Sequence, residues 1–394
     1  MIQENLQKIN TNIHPSLAMH QGESVALKQP RSSNLELYRI ICMLMIVAHH
    51  YVVNSGLGGK DGLLITNSES ANSLFLLIFG AWGKTGINCF LMITGYFMCT
   101  SKITLRKYLK LLLQVYFYKL IIFSIFLYAG YETLSINRIA KLVMPFWNIN
   151  TGFVECFIVF YLTIPFWNIL INNLNKNTHA LLLILLLMCY TMLGSIPDIT
   201  VQFNYVTWFG IIYLIASYIR LYPQPVFEKE YIWGWMTLAS FIVAICSILV
   251  VNHFTKQESI LNIHFFVSDC NKIFAVMVAV CSFLWFKNMK LKYSKMINSF
   301  GAGTFGVLLI HANSAAMRTW LWKDTVDVVG HYSLPLDELV LYSVGVVLVI
   351  FFISNLIDQL RIATIEKWFL RWYDSEIAVK ADSWISKLTT SNNN

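Results

Sequence analysis

The first apolar stretch of the chain holds its densest group of reactive side chains. It opens on Asn34-Leu35-Glu36-Leu37-Tyr38-Arg39 and closes on His49-His50-Tyr51, with an apolar run between. On a helix, the step from Arg39 to His50 turns through about 1100°, which brings both side chains to one face roughly 16 Å apart along the axis. Glu36 lies one turn before Arg39 on that face, and His49 points about 100° away from His50. A guanidinium can hold phosphates through its planar fork. An imidazole can act as general base or as nucleophile. An extended pantetheine arm, on the order of 15–20 Å by summed bond lengths, would bridge the two. The same residues also admit a plain reading, in which Glu36 and Arg39 form an interfacial ion pair and His50 packs between helices.

Other polar groups lie in or beside apolar runs. Lys102, Arg106, Lys107 and Lys110 follow the second run. They are either phosphate contacts for a cofactor or ordinary topology anchors. Lys84 and Asn88 sit one turn apart inside that run, in Gly83-Lys84-Thr85-Gly86-Ile87-Asn88, where a lysine needs a partner or water. Glu155, His311 and Arg318 are further candidates for contact with a substrate. His311 also reads as a packed core histidine, and Glu155 as a wet surface group.

These residues need a scaffold, and the composition says which kind. Of 394 residues, 57% are hydrophobic and only 13% charged. Soluble domains carry about 25% charged residues. Aromatics make up 15%, and mean hydropathy is +0.58, which excludes disorder. A spanning helix needs ~20 mostly apolar residues. Ten segments qualify: 35–54, 73–98, 108–129, 153–172, 179–196, 204–222, 232–252, 265–286, 300–320 and 338–358. The second, with Gly80, Gly83, Gly86 and Gly95, is expected to bend or break. The fold class is therefore an all-α integral membrane protein in a lipid bilayer. It divides into an amino-terminal segment over 1–34, a transmembrane domain over 35–358 and a tail over 359–394.

Lysine and arginine set the orientation. With the amino terminus in the cytoplasm, most loop lysines and arginines fall inside. Examples are Lys102 to Lys110, Lys287 to Lys295 and Arg361 to Lys387, against Lys60, Arg138, Lys141, Lys256 and Lys323 outside. Both termini are then cytoplasmic. The net charge of +8 follows from topology, and no basic stripe with interleaved aromatics points to nucleic acid. Residues 1–34 do not read as a secretory signal. The eight cysteines show neither CxxC pairs nor metal spacing, so no metal is expected.

The chain resembles the membrane acyltransferase-3 family, multi-span bacterial enzymes that O-acetylate surface polysaccharides. Three stretches carry the likeness. The segment from Asn34 to His50-Tyr51 is similar to the family's acidic-x-x-Arg-x10-His first helix. Gly83 to Phe97 resembles its Gly-rich second helix, ending in Thr94-Gly95-Tyr96 and followed by basic residues. Thr304-Phe305-Gly306 through His311 is like its late Phe-Gly-x-x-Leu-x-His segment. Ile164-Pro165-Phe166 and Ser217-Tyr218-Ile219-Arg220 match more loosely. The resemblance implies cytoplasmic acetyl-CoA as donor and a glycan hydroxyl at the outer face of the bacterial inner membrane as acceptor. It implies that His50 is the catalytic histidine, Arg39 a required partner, and the group around Arg106 a CoA contact. Many members carry two or three arginines after the Gly-aromatic turn. Here there is one among lysines, which give point charges instead of forks. No hydrolase-like domain follows the last span, unlike in some members. The competing reading is a transporter or flippase for a small anion or lipid-linked sugar, for which inverted repeats would be expected. None is visible.

Overall fold

The computed structural model describes residues 32–144, 146–150, 152–254, 259–374, 380–381 and 383, and the fold is that of the unit beginning at Ser33. Most of the expected amino-terminal segment, and the end of the tail, lie outside the described residues. The described residues are helical and loop, without strands. In chain order the main helices are α1 (Ser33–Val53), α2 (Ala71–Phe79), α3 (Gly83–Met98), α4 (Leu105–Tyr128), α5 (Ile136–Val143), α6 (Phe153–Asn173), α7 (Lys176–Leu187) and α8 (Tyr205–Leu221). They continue with α9 (Glu230–Phe254), α10 (Ile273–Asn288), α11 (Lys295–Ala302), α12 (Thr304–His311), α13 (Ala315–Thr319), α14 (Leu336–Arg361) and α15 (Lys367–Tyr373).

Polar side chains set many of the starts. Ser70, Thr104, Ser135, Asn204, Ser294 and Ser314 each accept a backbone N–H of the first turn that follows. Asn175 and Thr178 form a reciprocal capping box at α7. Such caps satisfy donors that the helix cannot satisfy itself.

Among the described residues, seven helical runs are long and apolar enough to cross a membrane. The chain is a multi-pass membrane protein. An eighth span arises if Lys295–His311 and Ala315–Thr325, bent by 95° at their junction, are taken together. The other two expected spans are shorter than a bilayer normally requires, at 17 residues for α8 and 16 for α10. Their physical setting explains this. α8 is buried on nearly all sides, including Trp208, Phe209, Tyr213 and Ile219, so protein and not lipid surrounds it. The stretch ahead of α10, expected as helix from 265, is a hydrogen-bonded turn in which Lys272 N–H reaches Asp269 O at 3.1 Å.

The second span breaks between α2 and α3, at Gly80-Ala81-Trp82, as its glycines suggest. The sharper break is in the ninth, after His311. α14 does not stop at 358: it runs through a π turn, Ile362–Glu366, into α15. α1 is the central post of the bundle and packs against α2, α3, α10, α11, α12 and α14. Its buried side chains belong to both apolar cores, Met43, Ile46 and Tyr51 to one and Leu35, Tyr38 and Cys42 to the other. α9 and α14 turn Leu238, Val250, Leu341 and Leu356 outward, as lipid-facing helices do.

Candidate active site

A cavity of about 440 Å³ lies where the carboxyl end of α1 meets the break between α2 and α3. Ile46, His49, His50 and Asn54 line it from α1 and the residue beyond, Lys84 and Ile87 from α3, Lys119 from α4 and Glu155 from α6. Tyr205, Leu308, Asn313 and Arg318 complete the wall. His50, Lys84, Glu155 and Arg318, expected on separate segments of sequence, are thus brought together.

The local backbone explains the two histidines. His49 Nδ1–H donates to the carbonyl of Gly80 at 2.6 Å, an acceptor supplied by the helix break. Gly83 presses on the His49 ring so closely that any Cβ there would collide with it. His50 meets His311, the last residue of α12, with 2.9 Å between His50 Nδ1 and His311 Nε2. His311 Nδ1 lies 2.6 Å from the carbonyl of Val307. A carbonyl only accepts, so His311 Nδ1 carries the proton and its Nε2 is a lone pair. His50 Nδ1 must then donate to that lone pair. The remaining nitrogen, His50 Nε2, is left as a lone pair. His311 is fully buried and does not line the cavity, so it meets His50 and not, as expected, a substrate.

Cations and carboxylates are paired around the cavity. Lys84 Nζ donates to the Tyr205 hydroxyl, which donates to Asp269 Oδ1 at 3.0 Å. Lys84 is 3.7 Å from the same carboxylate. Lys119 pairs with Glu155 at 3.3 Å. Sequence reasoning passed over Lys119 and Tyr205, although a lysine inside the apolar run of α4 was a visible signal. Arg318 is exposed and donates Nε–H to the Ser314 carbonyl at 3.2 Å.

Asn88 does not line the cavity. It is fully buried, accepting from Trp208 Nε1 at 2.9 Å and donating to the Cys270 carbonyl at 2.7 Å. It fastens α3 to α8 and to the turn before α10.

The remaining expected residues lie toward the opposite end of the bundle. Arg39 pairs with Glu36 at 3.3 Å, and neither lines the cavity, whose α1 wall begins at Ile46. Arg106 grips Asp374 through two bonds of 2.8 and 2.9 Å. That guanidinium holds the Asp374 carboxyl below its ordinary range, so the pair persists as pH falls. Lys110 pairs with Glu366 at 2.5 Å, and Lys107 Nζ donates to the Lys102 carbonyl at 2.8 Å. Beside them lies a buried network that the sequence did not single out. Arg361 bridges Asp358 at 2.7 Å and Glu366 at 2.9 Å. Tyr118 donates to Asp358 at 2.9 Å and Gln114 at 3.3 Å. Asp358 packs directly on Gly306, where a side chain would not fit.

A column of rings runs between the two ends. Phe153, Phe157 and Tyr161 repeat every fourth residue along α6, with ring centroids 5.9 and 6.2 Å apart. Tyr161 continues to Tyr108 of α4 at 6.3 Å, and Phe157 touches Phe305 of α12 at 6.0 Å. Phe153 lines the cavity, and Tyr108 lies half a turn from Arg106.

No curated protein and no solved structure matches this chain. A family model described as an acyltransferase domain, that of the acyltransferase-3 family, matches residues 32–355, an interval that takes in α1 to α13 and most of α14 and both ends of the ring column. The chain belongs to the acyltransferase-3 family.

Proposed function

We propose that the protein is a membrane O-acyltransferase that moves an acetyl group from acetyl-CoA to a hydroxyl of a surface glycan. The observation that carries this reading is the His50–His311 pair, which leaves a lone pair on His50 Nε2 beside a cavity of substrate size. The loop charges support cytoplasmic termini, with His50 toward the outer face of a bacterial inner membrane and Arg39 toward the cytoplasm.

In this reaction His50 Nε2 takes the proton of the glycan hydroxyl as its oxygen attacks the thioester carbon. The C–S bond breaks, and the proton passes from the imidazolium to the departing CoA thiolate. In the two-step order, Nε2 itself attacks the thioester carbon, the C–S bond breaks and CoA leaves as a thiolate, which the glycan hydroxyl's proton neutralises in the second step. The glycan oxygen then displaces the imidazole. Both orders use the same nitrogen. Lys84, steadied by Tyr205 and Asp269, supplies positive charge for the oxyanion. Glu155 and Arg318 contact the acceptor.

The donor's phosphates are held by Arg39, oriented by Glu36, and by Lys102, Arg106, Lys107 and Lys110. Arg106, Lys110 and Lys107 are engaged by Asp374, Glu366 and the Lys102 carbonyl, so donor binding exchanges partners. Asn88 serves by fixing the helix that carries Lys84. The pantetheine arm follows the ring column, a span of roughly 16 Å along α1.

The test is incubation of purified protein with labelled acetyl-CoA. Wild type is expected to hydrolyse it slowly or to carry label, and His50→Ala to do neither while unfolding at the same temperature. A wild-type protein that does neither, with or without a glycan acceptor, ends this reading.

A further inference from the structure

The His50 cavity does not stand alone. A second chamber of about 480 Å³ shares Lys119, Asn148, Glu155 and Asn313 with it. The second chamber's own lining includes Glu132, Arg138, Lys141 and Trp147. α5 contributes the two basic residues and exposes Ile136, Ile139 and Val143 beside them.

The charges of the joined chambers do not balance. Glu155 is paired with Lys119 at 3.3 Å, Glu132 with Arg138 at 3.4 Å, and Asp269 with Lys84 at 3.7 Å. Among the described residues, Lys141 and Arg318 have no carboxylate at ion-pair distance. Lys141 Nζ instead stands 5.7 Å from the centre of the Trp147 ring. One of these two cations lines each chamber. Excess charge of one sign in a concavity walled by low-dielectric groups concentrates ions of the other sign. The neutral groups are suited to sugar. Asn148 and Asn313 present amides that both donate and accept, as hydroxyls do, and Trp147, about half exposed, offers an amphipathic ring face.

The geometry points to an anionic glycan as the occupant of the two joined chambers, one whose carboxylates or phosphates meet Lys141 in one and Arg318 in the other while a neighbouring hydroxyl reaches His50. This deepens the acyl-transfer reading, on which it rests for the role of His50, but binding can be measured without chemistry.

The full chain in nanodiscs of neutral lipid is titrated calorimetrically with three probes: an oligohexuronate, the same oligosaccharide with its carboxyls reduced to alcohols, and a phosphodiester-linked glycan. At least one anionic probe is expected to bind about tenfold or more tighter than the neutral one. Lys141→Gln combined with Arg318→Gln should remove that advantage. Lys141→Arg should keep it, and acetyl-CoA binding should stay within about twofold. Which anionic probe prevails identifies the charged group. Equal binding of neutral and anionic probes, or no binding of either anionic probe, overturns the assignment. So does an equal loss of acetyl-CoA binding in the double variant, which would give the cations to the donor. Anionic binding without acetyl transfer keeps this site and removes the acyltransferase reading. Transfer to neutral and acidic glycans alike does the reverse.

Discussion

A neutral imidazole carries one proton, and at His50 the neighbours decide which nitrogen holds it. The Val307 carbonyl fixes His311, and His311 fixes His50. Two variants separate the chemistry from its orientation. His50→Ala is expected to lower transfer by about 10²- to 10⁴-fold, the usual worth of a positioned acid–base group. His311→Ala should lower kcat by a smaller factor and leave the glycan KM unchanged. His311→Gln, whose amide oxygen can still accept from His50 Nδ1–H, should recover part of that loss. Initial rates with labelled acetyl-CoA read all three, and a His311→Ala protein at the wild-type rate would remove the orienting role. Spacing alone left His50 open between a reactive and a packed histidine, and the family resemblance singled it out. The pairing with His311 was not legible, because 261 residues separate them and only the fold closes that distance. Lys84 was legible as a costly intramembrane charge, but its partners on α8 and in the turn before α10 were not.

At the scale of elements, α6 and α15 carry the contacts against which the proposed donor route can be tested. The rings of Phe153, Phe157 and Tyr161 form one face of α6, and Phe157 is wedged against Phe305. Enlarging it overfills that contact. Phe157→Trp is expected to raise the KM for acetyl-CoA about tenfold, in line with typical overpacking costs. The glycan KM should not follow, and steady-state kinetics with each substrate varied checks this. α15 carries Asp374 to Arg106. If Arg106 serves the donor, Asp374→Asn removes a competitor. Acetyl-CoA affinity should then rise roughly two- to fivefold, no more, since exposed pairs are worth little. Unchanged affinity in a binding titration would leave Arg106 as an anchor only. Apolar runs placed most helix starts to within a few residues, and the structure shows that Ser, Thr and Asn caps fix several of them locally. The lengths of α8 and α10 were not legible, since a span surrounded by protein no longer has to match the bilayer. Nor was the extension of α14 into α15, whose basic residues read from sequence as a tail.

For the molecule as a whole, the Asp358–Arg361–Glu366 network ties α14 to α4 through Tyr118, Gln114 and Lys110. Both Arg361 and Asp358 are almost wholly removed from solvent. Arg361→Met leaves buried Asp358 without its cation, while Glu366 keeps Lys110, and is expected to cost about 3–5 kcal/mol. Thermal unfolding in detergent measures it, and adding Asp358→Leu and Glu366→Leu should restore much of the loss. Impermeant thiol reagents tested on cysteines placed at 60 and 290 should reach only the first from outside intact cells. The reverse pattern would invert the orientation. The membrane class was legible from composition because too few charges exist to cover a soluble surface. One feature bears on how the molecule works as a machine. Lys119 and Glu155 line both chambers at once. A ligand that loosens that ion pair from one side changes the room on the other. Whatever draws Lys119 away from Glu155 in one chamber therefore reshapes the wall of the other.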